Sequence, residues 1–160
     1  MALGDNTLRS AAGNSQRGRN PYMVQTTLNW ATALSDKGGA LAAADVVPVI
    51  AVPKGTMILN AGIEVDTATD GSTFTVDLGT GVDPDVFVDG FDATSAAAVV
   101  AQNPAAYQPV MAVADDNIDV TIASLSGGAV TSGKFRVWAV MMDCTDMGDT
   151  AANEVARDNA

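Results

Sequence analysis

The chain has 160 residues, which suits one domain with tails, and its eight Lys and Arg against nineteen Asp and Glu give a formal net charge of −11. It contains no His and one Cys, which excludes Ser-His-Asp and Cys-His catalytic groups, imidazole metal sites and an intrachain disulfide. The acid excess also argues against nucleic-acid binding, because phosphate contacts need Lys and Arg. With 48% apolar but only 5% aromatic residues, the composition favours a structural or binding module over an enzyme.

The chain begins with a polar arm whose charge is opposite to that of the rest. Residues 1–20 carry Arg9, Arg17 and Arg19 against a single acid, whereas the other 140 residues carry a net charge of −13. The arm is rich in Gly, Asn and Ser and too poor in large apolar residues to build a core. We expect the arm, residues 1–21, to be extended, and we expect its arginines to dock on an acidic neighbouring subunit. An unstructured terminus and an arm that reads nucleic acid are the alternatives.

From residue 22 onwards, apolar residues alternate with polar ones at the period of β-strands. A proline, Pro48, interrupts the second strand and predicts an edge strand or a bulge there, because proline cannot donate to a β-ladder. Gly, Pro, Asn and Asp separate the alternating segments, as expected of turns. The predicted strands lie within residues 22–30, 46–52, 57–65, 74–78, 118–122 and 135–141.

Residues 92–101 break this alternation. Asp92 or Thr94 is a suitable N-cap for a short alanine-rich helix over 95–101, which Asn103 and Pro104 then end. The predicted fold is therefore all-β, a β-sandwich or jelly-roll-like barrel with one short helix. We assign residues 22–142 to this domain and residues 143–160 to an acidic C-terminal tail.

The last predicted strand is apolar on both faces. Trp138 lies on the opposite face from Phe135 and Val137, with Arg136 as a neighbour on its own face. This pattern indicates either a strand buried on both sides or a subunit interface, in which Trp and Arg are enriched. As candidate interface residues we take the arm arginines together with four residues of the domain: Tyr22, Trp30, Arg136 and Trp138.

An acidic loop, residues 77–92, holds five Asp and three Gly. Its oxygens suit calcium, but the spacing does not fit an EF-hand, since Phe87 and Val88 occupy the fifth and sixth positions counted from Asp83. Asp83 with Asp89 is also a nominal pair for a hydrolase, as are Asp115 and Asp116. We expect turn-capping aspartates instead, and predict no catalytic residue, no metal site and no cofactor.

No targeting or membrane segment is predicted. Residues 1–6 lack the basic and apolar regions of a signal peptide, so we expect synthesis in a cytoplasm. The longest charge-free stretch, residues 93–114, contains two prolines and is a poor membrane span.

Several segments together resemble small virion proteins of tailed phages, especially phages of marine and cyanobacterial hosts. They are Thr73 to Gly81, the run from Asp85 to Phe91 with its Val88-Asp89-Gly90, the predicted helix of small residues that follows, and Gly133 to Val140. The resemblance covers residues 55–142 and rests on strands and a glycine-acid loop rather than on a catalytic signature. Proteins of this kind decorate or cement the capsid.

The resemblance implies a β-sandwich or jelly-roll-like protein, favoured as a homotrimer, on the outer surface of the virion. Its partner would be the major capsid protein, whose adjacent subunits it would bridge, with no role for nucleic acid or membrane. The alternative is a head-fibre, tail-accessory or adhesin-like module that binds a host-surface glycan. A small hydrolase using paired aspartates is a third hypothesis.

Overall fold

The computed structural model describes residues 9–10, 20–101 and 109–144. Ten strands and one helix lie in these ranges, and the helix, α1, spans Trp30–Lys37. The strands are β1 (Arg9–Ser10), β2 (Tyr22–Asn29), β3 (Val46–Val52), β4 (Thr56–Thr67), β5 (Thr73–Thr80), β6 (Val88–Asp92), β7 (Val99–Ala101), β8 (Val110–Met111), β9 (Asp116–Ser126) and β10 (Lys134–Asp143).

The strands form two sheets with one core between them. The first sheet has the order β1-β3-β9-β5-β6, and the second has the order β2-β10-β4-β7, with β8 also pairing with β4. All paired neighbours are antiparallel except β1, which runs parallel to β3. Both sheets are open, so the predicted all-β class is confirmed as a sandwich rather than a closed barrel.

The core lies where the period-two pattern predicted it. Each long strand buries alternate side chains because one face of its sheet packs on the other sheet. Fully buried residues at predicted inward positions are Leu28, Phe74, Val76, Leu78, Ile118, Val120, Ile122, Phe135, Val137, Ala139 and Met141.

Register shifts interrupt several of the ladders, among them those of β3 with β9 and of β4 with β10. In β3 the pairing with β9 skips a residue after Pro48, so the predicted bulge is confirmed. In β4 the pairing with β10 skips Leu59, and the inward side therefore changes from Ile58 to Ala61. The single alternating run expected over residues 57–65 therefore breaks at Leu59, because one residue left out of a ladder exchanges the two faces.

In the described residues α1 is the one helix, and the prediction of a helix over 95–101 was wrong. The side chain of Asn29 accepts a hydrogen bond from the Ala31 N–H at 3.0 Å and so caps α1, which Gly38 ends with a φ of 67°. The alanine-rich segment instead forms a turn with Ala97 at a φ of 60°, followed by β7, because Val99 and Val100 pair with β4. No helix in the described ranges is long and apolar enough to cross a membrane.

Three aromatic rings close one end of the sandwich. The Trp30 ring lies edge-on to Phe74 of the first sheet at 4.9 Å and to Phe135 of the second at 5.4 Å. All three side chains are fully buried, and α1 begins at this closed end. At the other end, which we call the open end, β2 begins and β3, β5 and β10 finish.

At the open end, a tight backbone contact holds the loop after β5 against the first sheet. A methyl group at Gly79 would overlap the backbone of Asp83 and Pro84, and the N–H of Thr80 donates to the Asp83 carbonyl at 2.8 Å. Only glycine therefore fits at position 79 without moving the loop.

We predict that Gly79→Ala lowers the free energy of unfolding by about 1–3 kcal/mol, because the loop must move to relieve the overlap. Chemical denaturation of both proteins measures the change. Gly39→Ala is the matched control, since a methyl group there meets no atom within 4 Å. Equal losses in the two variants would contradict the packing argument.

Candidate functional site

The outer side of the second sheet carries a partly apolar surface centred on Trp138. This residue pairs with Gln25 on β2 and Gly62 on β4. A methyl group at position 62 would overlap the Trp138 ring, so the ring lies directly on the glycine. We call this surface the Trp138 face and define it by Met23, Gln25, Asn60, Gly62, Glu64, Arg136, Trp138 and Val140.

Charge lies at one side of the Trp138 face and apolar surface at the other. The Arg136 guanidinium pairs with the Glu64 carboxylate at 3.1 Å, and both side chains remain solvent-accessible. Such an exposed pair contributes less than about 1 kcal/mol to stability. Met23, paired with Val140, leaves 62% of its surface exposed. An apolar centre beside Trp and Arg is typical of protein interfaces.

The other candidate interface residues lie elsewhere. Tyr22 is half-buried on the inner side of β2 opposite Met141, so it does not belong to the Trp138 face. Trp30 is fully buried in the core and presents no surface, and we therefore exclude it from any interface. Arg9 contributes its backbone to β1, while Arg17 and Arg19 lie outside the described residues.

Two aspartates of the acidic loop accept hydrogen bonds from backbone N–H groups, and one of these bonds forms a turn at Asp92. Asp77 accepts a hydrogen bond from the Gly90 N–H at 2.7 Å, and Asp92 accepts from the Thr94 N–H at 2.9 Å. Burial raises the pKa of Asp77, and the charges of nearby Asp89 and Asp85 raise it further. Among the described residues, which include the whole loop, no group of three or more Asp, Glu or Cys side chains is placed to hold a metal ion.

The second nominal hydrolase pair, Asp115 and Asp116, accepts hydrogen bonds from backbone N–H groups in turns. Asp115 accepts from the Lys54 N–H at 2.9 Å, and Asp116 accepts from Gly81 at 3.2 Å and from its neighbour Asn117 at 2.8 Å. These bonds connect three turns at the open end of the sandwich. They favour a structural role for both carboxylates.

The open end also contains a pocket of about 560 Å³ that sequence patterns did not predict. Its wall includes Val52, Ile58 and Val86, while Asp83, Asp115 and Asp116 stand among its lining residues. The only signal in the sequence is the presence of valines, Val82 and Val113, in turn segments that otherwise hold Gly, Asp and Ala. We call this feature the end pocket.

A buried carboxylate lies on the outer side of the first sheet. Asp119 is 8% exposed between Pro48 of β3 and Gly79 of β5, and its Oδ1 has no hydrogen-bond partner among the described residues. Burial raises the pKa of Asp119 to about 6, and the negative charge of Asp116 adds to this effect. The fold therefore disfavours the ionised form of Asp119.

This raised pKa makes stability fall as pH rises. Below the unfolded-state pKa of 3.8 Asp119 is protonated in both states, whereas above about 6 it is ionised in both, at a cost to the fold. We predict that Asp119→Asn raises the free energy of unfolding at pH 7 by at most about 3 kcal/mol and that the gain vanishes near pH 4.

Denaturation of wild type and variant at pH 4, 5, 6 and 7 measures this difference. The control is Asp66→Asn at an exposed position of β4, which we expect to change stability by less than about 0.5 kcal/mol at each pH. A benefit of Asp119→Asn that is the same at pH 4 and pH 7 would contradict the assignment.

The comparisons with known proteins show a shared fold. No family model matches the sequence, and a search of curated proteins found no relative. A chain of the cyanophage Pam1 capsid asymmetric unit matches with a TM-score of 0.59 and 16% identity, over 87% of this chain and 96% of that one. A chain of the capsid of Ralstonia phage GP4 matches with a TM-score of 0.53 and 18% identity, over 79% and 84% of the two chains.

At 16% and 18% sequence identity, the two comparisons show a similarity of fold. The matched architecture spans nearly the whole of the cyanophage chain and most of this one. The resemblance to phage virion proteins is thus confirmed at the level of the fold: this chain has the β-sandwich found in chains of two phage capsids.

Proposed function

We propose that the protein is a non-enzymatic structural component of a phage virion that binds the outside of the capsid and cements or decorates it. In this role it bridges adjacent major capsid subunits. The observation that carries the proposal is the fold match over 96% of a chain in the cyanophage capsid. The use of the aspartates in turn hydrogen bonds supports the non-enzymatic part.

Charge and surface chemistry suit this role. The arm brings Arg9, Arg17 and Arg19 to a body with a net charge of −13, so it is attracted to the acidic surface of a neighbouring copy. The Trp138 face supplies an apolar patch for contact between copies, for which a trimer is favoured. Many weak contacts made at once by a multimer give tight attachment to a shell that repeats the same binding site.

The first experiment is co-sedimentation of the purified protein with heads of its parent phage that lack it. We expect saturable binding at a fixed ratio to the major capsid protein. Absence of binding to intact heads would overturn the proposed function and favour a fibre, tail or host-surface role.

The arm is tested by charge reversal in the full chain. We predict that Arg17→Glu with Arg19→Glu weakens head binding by about tenfold or more, because two carboxylates replace two guanidinium groups that pair with acids. Co-sedimentation with and without added salt measures the change. The control is Lys134→Glu, which reverses the charge of an exposed cation at the closed end. Lys37 is not used because it pairs with Asp45. Equal weakening by Lys134→Glu would assign the effect to net charge.

The Trp138 face is tested through the oligomeric state. We predict that Met23→Glu converts the oligomer to monomers, since it places a charge in the exposed apolar part of the face without entering the core. Sedimentation velocity distinguishes the two states. The control is Ala129→Glu, an exposed position near the closed end. An oligomer that survives Met23→Glu unchanged would remove this face from the interface.

A further inference from the structure

The exposed apolar side chains of the protein concentrate at one place. Among the described residues, five large hydrophobic side chains are exposed, and three of them surround the end pocket. Val82 is 87% exposed, Val113 is 79% exposed and Met111 is 40% exposed. Exposed apolar clusters next to a cavity mark binding sites more often than scattered ones do.

The surroundings of the pocket are negative. Asp83, Asp115 and Asp116 stand among its lining residues, and Lys54 is the nearest cation in sequence. No Lys or Arg occurs between residues 55 and 133, whereas eleven acids do. A hydrogen bond between the Asp83 and Asp85 side chains raises the pKa of Asp83, because it stabilises the protonated Asp83 carboxyl beside a second carboxylate.

Both described ends of the domain lie at this same end of the sandwich. β2 begins at Tyr22 opposite Met141, and the N–H of Cys144 donates to the carbonyl of Gly55 at 2.9 Å. Gly55 in turn donates to Ala112, which lines the pocket. The arm and the acidic tail therefore both join the domain beside the end pocket.

From this arrangement we propose that the end pocket binds an extended segment of the major capsid protein that carries a bulky apolar side chain next to Lys or Arg. The apolar side chain enters among Val52, Ile58 and Val86, and the exposed Val82 and Val113 cover the flanking residues. The cation lies against the carboxylates of Asp83 and Asp115. This inference rests on the proposed function and names the part of the protein that faces the shell.

Charge distinguishes this occupant from two segments of the chain itself, the tail and residues 102–108. The tail, residues 145–160, has four acids against one arginine, so the carboxylates around the pocket repel it. Residues 102–108 carry no charged side chain that would pair with these carboxylates.

The test uses the full chain and parent-phage heads that lack the protein. We expect Val82→Glu with Val113→Glu to weaken binding at least about tenfold, because two charges enter the apolar contact. Both side chains are exposed, so the thermal midpoint and oligomeric state of the free variant should equal those of wild type. The matched control is Ser126→Glu with Ala129→Glu, which adds the same charge near the closed end at exposed positions.

A second variant tests the electrostatic part. Asp83→Asn removes one carboxylate from the lining, and we expect weaker binding that depends less on salt than that of wild type. Asp66→Asn removes an equal charge from an exposed position outside the pocket lining and should bind like wild type.

Each outcome has a distinct meaning. If wild type binds heads and Val82→Glu with Val113→Glu binds equally well, the inference is overturned while the proposed function stands. If wild type does not bind heads, both the proposed function and this inference are overturned. A lower thermal midpoint of the free variant would assign the pocket to a segment of the same chain, and loss of the oligomer would assign it to a second copy; either result overturns the inference.

Discussion

The structure depends on how few large side chains are available to fill the space between two sheets. Only 5% of the residues are aromatic, and a sandwich core must be filled to the density of an organic solid. Trp30, Phe74 and Phe135 contact one another at a single end and join both sheets there. At the opposite end lies the end pocket of about 560 Å³, whose lining includes Val52, Ile58 and Val86. The contact of the three rings thus distinguishes a closed end from an open end.

Much of the domain was predictable from the sequence because a strand that is buried on one face alternates apolar and polar residues. The inward faces of β5, β9 and β10 follow directly from that rule, and Pro48 correctly marked a bulge in β3. The rule does not reveal where a ladder skips a residue in the absence of proline. At Leu59 the skip depends on the pairing with β10, so the two faces of β4 exchange without any local signal.

The helix predicted over 95–101 also failed because pairing with a distant strand is not visible in the local sequence. Local propensity favoured the alanine-rich segment, but pairing of Val99 and Val100 with β4 outweighed it. The real helix carries readable end signals, Asn29 before it and Gly38 after it, which the alternation up to Trp30 obscured. Trp30 was a candidate interface residue because it is aromatic, but its side chain is fully buried and closes one end of the core. Residue type alone therefore does not tell an interface residue from a core residue.

Candidate surfaces are harder to predict than the core because they consist of what the fold leaves uncovered. The position of Trp138 on the outer face followed from strand parity, but its packing on Gly62 depends on which strand lies beside β10. The end pocket depends on three turns that the hydrogen bonds of Asp115 and Asp116 bring together, and no local pattern in the sequence reveals those bonds. A surface of this origin carries apolar residues and carboxylates together, since the turns that close the strands need capping acids while the unfilled core supplies the apolar wall. Selectivity for a partner that is apolar and cationic at once is therefore a consequence of how this end of the sandwich is built.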